Sequence, residues 1–318
     1  MSKLGHGASS TSELAFNSEM NFDYGAATEV APGVRRVVAN NPGPFTFKGT
    51  NTYIVGFGEV AVIDPGPNDK EHLKALSDAL DGERITHILI THTHRDHTDA
   101  VVPLKEYSNA PVLAFGDTGR PRGVRTTSPS GKAFVALDLT PDEILRDGDS
   151  VQGTGWALDV IHTPGHAPDH LCFALSGERC VFSGDHVMGW NTTVIAPPEG
   201  RMSDYLSSLE LLLERDDKLF LPGHGGRIET PQRVVRAYLM HRKMRESAIY
   251  NSLESGDRFI PQIVARIYNR LDSKLEPAAA LSVLAHLELL VARGLVECEE
   301  LPPAIHSTFS IPPHAPVS

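Results

Sequence analysis

Four side chains that can bind a metal ion lie close together in the segment THTHRDH (91–97): His92, His94, Asp96 and His97. If the apolar strand HILI continues into this segment, the side chains of His92 and His94 leave the same face, because residues two apart in a strand share a face. Protonated imidazoles at this spacing would repel one another, so the crowding is favourable only around a cation. Neutral imidazole and carboxylate suit zinc, and also iron or manganese. The segment therefore predicts a metal site.

Three further candidate ligands share a local pattern, in which an apolar strand leads to a glycine and the ligand follows. They are His166 in VIHTPGH, Asp185 in CVFSGD and His224 in KLFLPGH. The glycine lets the backbone turn tightly and approach a metal ion closely. One such histidine alone would be an ordinary core or surface residue, but the combined set of ligands predicts a metal centre.

The elements that must position these ligands are short β-branched strands, separated by glycine and proline turns and alternating with helices. Apolar spacing predicts a helix over 69–81, and Ser203 is placed to cap the start of another helix. The composition of 116–137 is typical of an extended surface loop. Further helices are predicted over 231–254, 261–271 and 277–293, followed by a strand in LVECEE.

The order of these ligands, HxHxDH followed by a histidine, an aspartate and a final histidine, resembles the metallo-β-lactamase superfamily over about residues 32–226. The resemblance implies an α/β fold in which two β-sheets form an αββα sandwich with the site at one edge. It also implies two zinc ions and a bridging aspartate, Asp185. The implied ligands are His92, His94 and His166 for one ion and Asp96, His97 and His224 for the other.

Other branches of the superfamily match less well. True β-lactamases usually lack the bridging residue that Asp185 would provide, and flavodiiron proteins place a glutamate where His94 stands. Persulfide dioxygenases bind a single iron through residues that match His92, His166 and Asp185, whereas this sequence also has a complete second ligand group. The pattern therefore favours a hydrolase with two metal ions.

A finer resemblance is carried by the blocks NPGPFTFKGTNTYIVG, TPGHAPDHLCF, SGDHVMG, HRKMRE and LSVLAHLELLVARGLV. These blocks resemble the lactamase-beta-like branch, whose animal members are single-strand endoribonucleases. That branch appends a winged-helix-like domain, which here would follow a metallo-β-lactamase domain over 29–230 and occupy 231–318 with the tail. The resemblance implies a zinc-dependent phosphodiesterase that acts on single-stranded RNA.

The chemistry of two metal ions leaves the substrate open. Ions about 3.5–4 Å apart can hold a bridging hydroxide and the scissile group together. Asp96 is predicted to be catalytic as well as ligating, because it can orient that hydroxide or accept its proton. A small-molecule ester, thioester or lactone hydrolase is therefore the alternative to RNA cleavage. In a third hypothesis, the protein is a winged-helix regulator that only senses a ligand, which the complete ligand set disfavours.

Candidate substrate contacts lie in two places. The loop TFKGTNT (46–52) offers Lys48, Thr50 and Asn51 to a substrate phosphate, with an ordinary turn as the equal alternative. His186 follows Asp185 and could protonate the leaving group. The competing interpretation of His186 is a packing residue, because neighbouring residues of a strand alternate between its faces.

The stretch 227–245 is rich in cationic residues and contains a single acid, Glu229. Such a cluster could form a nucleic-acid groove or could be a solvated helix face. The third C-terminal helix offers only His286 and Arg293 as cations, so sequence-specific DNA binding is not expected. The C-terminal domain is instead predicted to pack against the first domain, to line the pocket or to form a homo-oligomer.

Composition sets the remaining limits. A chain of 318 residues has room for one large domain and a small one. Residues 1–28 lack an apolar signal-peptide core and are predicted to be a disordered leader. Scattered cysteines at 172, 180 and 298 point to the cytoplasm, and a membrane partner is not expected because no apolar run approaches ~20 residues. A net charge of −11 disfavours a general polyanion binder.

Overall fold

A computed structural model of the protein describes residues 18–117, 139–268 and 271–313. The first part of the predicted leader, 1–17, and nearly all of the predicted loop, 118–137, lie outside the described residues. The first strand begins at Ala27, shortly before the boundary predicted at residue 29.

The first sheet has seven strands, and its order in space follows the order in the chain. The first four strands pair antiparallel and the last three continue the sheet in parallel. Its strands are β1 (Ala27–Ala31), β2 (Val34–Val38), β3 (Asn51–Val55), β4 (Glu59–Ile63), β5 (Arg84–Leu89), β6 (Val112–Ala114) and β7 (Glu143–Ile144). Three helices belong to this half: α1 (Lys70–Ala79), α2 (Arg95–Thr98) and α3 (Val101–Ser108).

The second sheet has five strands, in the order β12-β11-β10-β9-β8. These strands are β8 (Ser150–Gly153), β9 (Trp156–His162), β10 (Leu171–Leu175), β11 (Cys180–Gly184) and β12 (Leu219–Pro222), and helix α4 (Met202–Glu214) precedes β12. Helix α4 has Arg201 as its N-cap and no side-chain cap, so the prediction that Ser203 caps it was wrong. Ser203 lies inside the helix, and its hydroxyl donates to Asp204.

Three apolar layers hold the two sheets and their helices together. The central layer lies between the sheets, where the rings of Tyr53 and Phe182 meet edge to face at 5.2 Å. A second layer joins α1 and α3 to the outer face of the first sheet, and a third joins α4 to the outer face of the second. Burial of apolar surface is the main force behind such layers. This arrangement confirms the predicted αββα sandwich.

The C-terminal part is mainly helical, as predicted. It consists of α5 (Pro231–Glu254), α6 (Ile260–Ile267), a short 3-10 helix (Ser273–Leu275), α7 (Glu276–Ala292) and the strand pair β13 (Glu297–Cys298) and β14 (Phe309–Ser310). Helix α5 belongs to two cores, because Val235 and Tyr238 pack on the sandwich while Ile249 and Leu253 pack within the C-terminal domain. One continuous helix therefore joins the two domains.

The segment Ser273–Ala292 is long and apolar enough to span a membrane by composition, which the sequence analysis did not anticipate. Half of its most apolar window is buried within the protein. Val283 and Leu287 pack in the C-terminal core, and Ala285 and Leu289 pack against the sandwich. Contacts with both domains account for its apolar character.

Candidate metal centre

The predicted metal ligands all lie in segments that follow strands of the sandwich. His92 and His94 follow β5, and α2 then carries Asp96 and His97. His166 follows β9, Asp185 follows β11 and His224 follows β12. The structure brings all seven together at one end of the sandwich.

The glycines before the ligands have the role that the sequence suggested. Gly184 has a positive φ of 46°, and a Cβ there would come within 2.5 Å of His170 Nε2. A Cβ on Gly223 would come within 2.5 Å of Asp185 Oδ1. A side chain at either position would push the backbone away from the centre.

Three imidazole nitrogens form the first ligand group. His94 Nδ1 lies 2.9 Å from His92 Nε2 and 3.1 Å from His166 Nε2. Neighbouring ligand atoms around a tetrahedral zinc ion, with Zn–N near 2.0–2.1 Å, are about 3.3 Å apart. All three side chains are buried, and their nitrogens converge on one point, so they fit a metal ion.

The second ligand group combines a carboxylate with two imidazoles. Asp96 Oδ2 lies 3.2 Å from His224 Nε2 and 3.6 Å from His97 Nε2. Among the described residues, the buried Nε2 of His97 has no hydrogen-bond partner. A buried nitrogen without a partner is costly, and a metal ion would satisfy it.

Asp185 lies between the two groups. Its Oδ1 is 3.5 Å from His97 Nε2 and 3.4 Å from His224 Nε2, both in the second group. Its Oδ2 is 3.8 Å from His166 Nε2 in the first group. One carboxylate oxygen faces each group, which is the arrangement that a bridging ligand requires.

Hydrogen bonds from outside the centre fix the orientation of the ligand rings. The Nδ1 atom of His97 lies 2.9 Å from Oδ2 of Asp64, whose carboxylate also accepts from the backbone and hydroxyl of Thr91. Likewise Nδ1 of His166 lies 2.7 Å from the carbonyl oxygen of Val194. A donor at Nδ1 leaves the Nε2 lone pair directed at the centre, and such partners usually orient metal-binding histidines.

The sequence analysis missed two carboxylates that contact ligand rings from outside the centre, those of Asp64 and Glu199. Asp64 directly follows the buried strand β4, and its position between an apolar strand and Pro65 was a usable signal. Glu199 is buried in the segment before α4, with Oε1 at 3.3 Å from His94 Nε2. No local pattern marks Glu199, because only the tertiary fold brings it to His94.

The pKa values of His166, in the first ligand group, and His224, in the second, are shifted in opposite directions. Burial lowers the pKa of His166 to about 4, which keeps that ring neutral. Burial also acts to lower the pKa of His224, but the carboxylates of Asp185 and Asp96 outweigh it and raise that pKa to about 9. A cation entering the second group therefore competes with a proton on His224.

Comparison with known proteins identifies the family. A model of the metallo-beta-lactamase superfamily matches residues 45–224, which contain every ligand of the centre. The chain belongs to this superfamily. A second model, of a beta-lactamase associated winged helix domain, matches residues 260–301 and confirms the predicted character of the C-terminal domain.

Similar proteins are found in animals, fungi and bacteria. A beta-lactamase-like protein 2 homolog of Drosophila melanogaster is 31% identical over 285 residues, covering 85% of this chain and 91% of the relative. An atrochrysone carboxyl ACP thioesterase of a Cryptosporiopsis species is 32% identical over 232 residues, covering 71% of this chain and 64% of the relative. The crystal structure of a beta-lactamase domain protein from Burkholderia ambifaria has the same fold, with a TM-score of 0.76, 22% identity and coverage of 93% and 96%.

In this superfamily member the metal centre opens into a cavity. Its outer lining is mostly apolar and includes Phe45, Met188, Trp190 and Val194, with Thr46, Asn191 and Thr192 as neutral polar residues. Trp190 stacks on Phe47 at 5.0 Å and packs so closely on Gly225 that a Cβ there would lie 2.8 Å from the indole. The wall beside His224 is thus aromatic and tightly packed.

The loop residues predicted to bind substrate do not line this cavity. Thr50 is buried and its hydroxyl accepts a hydrogen bond from Asn41. The side-chain amide of Asn51 donates to the carbonyl oxygens of Pro222 and Gly225. The Asn51 amide therefore joins β3 to the loop that carries His224, and the Thr50 hydroxyl is held by Asn41.

The other two predicted contacts are also placed elsewhere. The ammonium group of Lys48 lies over the rings of Phe22 and Phe47. His186 is fully buried, with its ring 4.6 Å from that of Tyr205, and it is absent from the cavity lining. This placement favours the packing interpretation of His186, because the ring is buried behind the residues that line the cavity.

The cationic stretch 227–245 does not form one groove. Arg227 pairs with Glu229, and Arg245 lies over the ring of Tyr268. Arg242 is buried, donating to the carbonyl oxygen of Thr193 and lying over Tyr205. Three of the six arginine and lysine residues in this stretch therefore make contacts within the protein.

Proposed function

We propose that this superfamily member is a metal-dependent hydrolase of acyl thioesters and related small esters. The observation that carries the proposal is the lining of the cavity, which contains no lysine or arginine among the described residues. A phosphodiester backbone is normally held by such side chains. A neutral acyl group needs instead an apolar wall and a few neutral hydrogen-bonding groups, which this cavity has.

We infer that two zinc ions occupy the centre, because two separate ligand groups and a carboxylate between them are present. When bound, such ions lower the pKa of water and polarise the carbonyl group of a substrate. The ligand residues supply the charge balance: the carboxylates of Asp96 and Asp185 offset part of the charge of the ions.

Asp96 is the ligand most open to the cavity, with 21% of its side chain exposed. Its carboxylate is therefore the group best placed to orient a water molecule that enters from the cavity. Burial acts to raise the pKa of Asp96, but His97 and His224 outweigh it and lower that pKa to about 2. The group is thus ionised at neutral pH and able to accept a hydrogen bond from water.

The leaving group also favours a thioester. Apart from the metal ligands, the described lining of the cavity contains no titratable side chain that could protonate a leaving group. A thiol has a pKa near 8.5 and leaves as the thiolate more readily than an amine or an alcohol leaves unprotonated. The thioesterase among the relatives supports the same reaction type.

Cleavage of single-stranded RNA is the second candidate. It is favoured by the three exposed cations on α5, namely Arg233, Arg236 and Lys243.

The cytoplasm remains the proposed location, since all three cysteines are free and reducing compartments favour free thiols.

Hydrolysis assays on zinc-loaded protein test the proposal. The substrates are octanoyl-N-acetylcysteamine thioester, an octanoyl ester, a lactone and a labelled single-stranded RNA. We expect the thioester to be cleaved with the highest kcat/KM, and Asp96→Asn to lower kcat by at least about a hundredfold. Cleavage of RNA without cleavage of the thioester would reject the proposal in favour of the second candidate. Full activity of Asp96→Asn would refute the role of that residue.

A further inference from the structure

We propose that the outer face of α5 binds an acidic carrier domain, which presents its acyl thioester to the metal centre. This inference rests on the proposed function. The face consists of Arg233, Arg236, Met240, Lys243 and Met244, which are all exposed. They recur at intervals of three and four residues, so they share one side of the helix.

The three cations of this face are not neutralised by acidic side chains of the described residues. Arg233, Arg236 and Lys243 make no ion pair with any described residue, whereas the neighbouring Arg227 pairs with Glu229 and Arg245 lies over the ring of Tyr268. They stand on a protein whose net charge is −11. A local positive patch on an acidic protein attracts an acidic partner at short range, while the overall charge repels acidic proteins that approach elsewhere.

The two methionines distinguish a protein partner from a nucleic acid. Met240 is 55% exposed and Met244 is 49% exposed, and they lie between the cations. Methionine side chains adapt to varied apolar surfaces and are common at protein-binding sites. An RNA backbone would neutralise the cations and leave both side chains in water, whereas an amphipathic helix with acidic flanks would cover all five residues.

The inner face of the same helix contacts the wall of the cavity. Tyr238 hydrogen-bonds to the backbone of Met188, and Arg242 donates to the carbonyl oxygen of Thr193. A helix is about 10–12 Å across with its side chains, so the outer face lies about one helix diameter behind that wall. A partner docked there could reach the cavity only with a group on a flexible arm. A carrier domain holds its acyl thioester on such an arm.

The test compares two forms of the same acyl group. The substrates are octanoyl thioester carried by an acidic acyl carrier protein and octanoyl-N-acetylcysteamine thioester, both with zinc-loaded full-length protein. The variant replaces Arg233, Arg236 and Lys243 with glutamate. We expect kcat/KM for the carrier substrate to fall at least about tenfold and to lose its salt dependence. Its kcat/KM for the small thioester stays within about twofold of the wild type.

A matched control separates the face from the overall charge. Replacing the exposed Lys70, Lys218 and Lys274 with glutamate changes the net charge equally, and these residues lie outside α5. Equal losses in the two triple variants would overturn the proposal. A second variant, Met240→Ser with Met244→Ser, should weaken binding of the carrier about three- to tenfold at high salt, where charge contributes little. No loss in that variant would also count against a protein partner.

Calorimetric titration with the carrier protein keeps this inference distinct from the proposed function. Binding that the charge-reversal variant loses, without hydrolysis of either thioester, would support the docking face and reject the proposed activity. If wild type and variant hydrolyse both substrates with equal kcat/KM, the proposed activity is supported and the docking face is rejected. If the wild type does not bind the carrier, a different partner is indicated. Loss of RNA binding in the variant would then identify the partner as RNA. Loss of self-association in sedimentation would identify it as a second copy of the chain.

Discussion

The phenol oxygen of Tyr238 hydrogen-bonds to both backbone polar groups of Met188. The Met188 N–H donates to it at 3.1 Å, and the carbonyl oxygens of Met188 and Asn191 share its proton. Tyr238 lies on α5, beyond the superfamily match that ends at residue 224. The wall of the cavity is therefore held by a helix that belongs equally to the C-terminal domain.

Tyr238→Phe should impair the cavity wall without emptying the metal centre. The change leaves buried backbone groups without a partner, which costs about 1–3 kcal/mol of unfolding free energy. We expect kcat/KM to fall about tenfold and the metal content to stay at the wild-type value, measured by urea unfolding, kinetics and elemental analysis. Tyr250→Phe, in the same helix, is the control. Unchanged stability and kinetics in Tyr238→Phe would show that the wall does not depend on α5.

His224→Ala should empty the second ligand group selectively. We expect elemental analysis to show about two equivalents of zinc in the wild type and about one in the variant, because the first group keeps all three of its imidazoles. His306→Ala removes an exposed histidine and should retain about two equivalents. One iron and no zinc in the wild type would contradict the proposed metal.

Asp64→Asn should weaken metal binding although Asp64 is not a ligand in this geometry. Its carboxylate fixes the His97 ring, and loss of such a partner typically costs 10–100-fold in metal affinity. Competition with a chelator measures this affinity, and the exposed Asp81→Asn is the control. Wild-type affinity in Asp64→Asn would mean that packing alone orients His97.

Glu288→Gln should change how stability depends on pH. Burial raises the pKa of Glu288 to about 7, with Arg201 opposing the shift. Between its ordinary pKa and about 7 the folded protein holds a proton that the unfolded chain releases, so this group lowers stability as pH rises through that window. The variant should lack this loss and be more stable than the wild type above pH 7.

Urea unfolding of wild type and variant from pH 5 to pH 8 checks this prediction. Glu210→Gln removes an exposed acid from α4 and serves as the control for the loss of one charge. A difference between Glu288→Gln and the wild type that is constant with pH, or that has the opposite sign, would contradict the expected linkage.

The metal ligands could be predicted from the sequence because each follows a recognisable apolar strand, and strand ends meet at one edge of the sandwich. The residues around them could not, since their positions depend on contacts across the whole fold. Glu199 reaches His94 from a segment more than a hundred residues away. Local rules also failed for α4, where the backbone begins the helix at Met202 and bypasses the capping hydroxyl of Ser203.

The loop residues show how a sequence pattern can be correct in place and different in role. Thr50 and Asn51 lie beside the centre, as the loop pattern suggested, but the Thr50 hydroxyl is bonded to Asn41 and the Asn51 amide nitrogen to Pro222 and Gly225. A single sequence does not reveal which of two available partners, a ligand or the backbone, a polar side chain will take. The sequence analysis also missed the apolar wall formed by Met188 and Trp190. Whether these side chains line the cavity depends on where the preceding strand, β11, ends.

The link between β3 and the last ligand has a consequence for the growing chain. The backbone N–H of Asn51 donates to the carbonyl oxygen of Gly223, so the early strand and the His224 loop complete each other. A chain still on the ribosome can hold six of the seven ligands and yet lack this closure, and it lacks the support of α5 as well. Hydrolytic competence therefore arises only after β12, the His224 loop and α5 have all been synthesised.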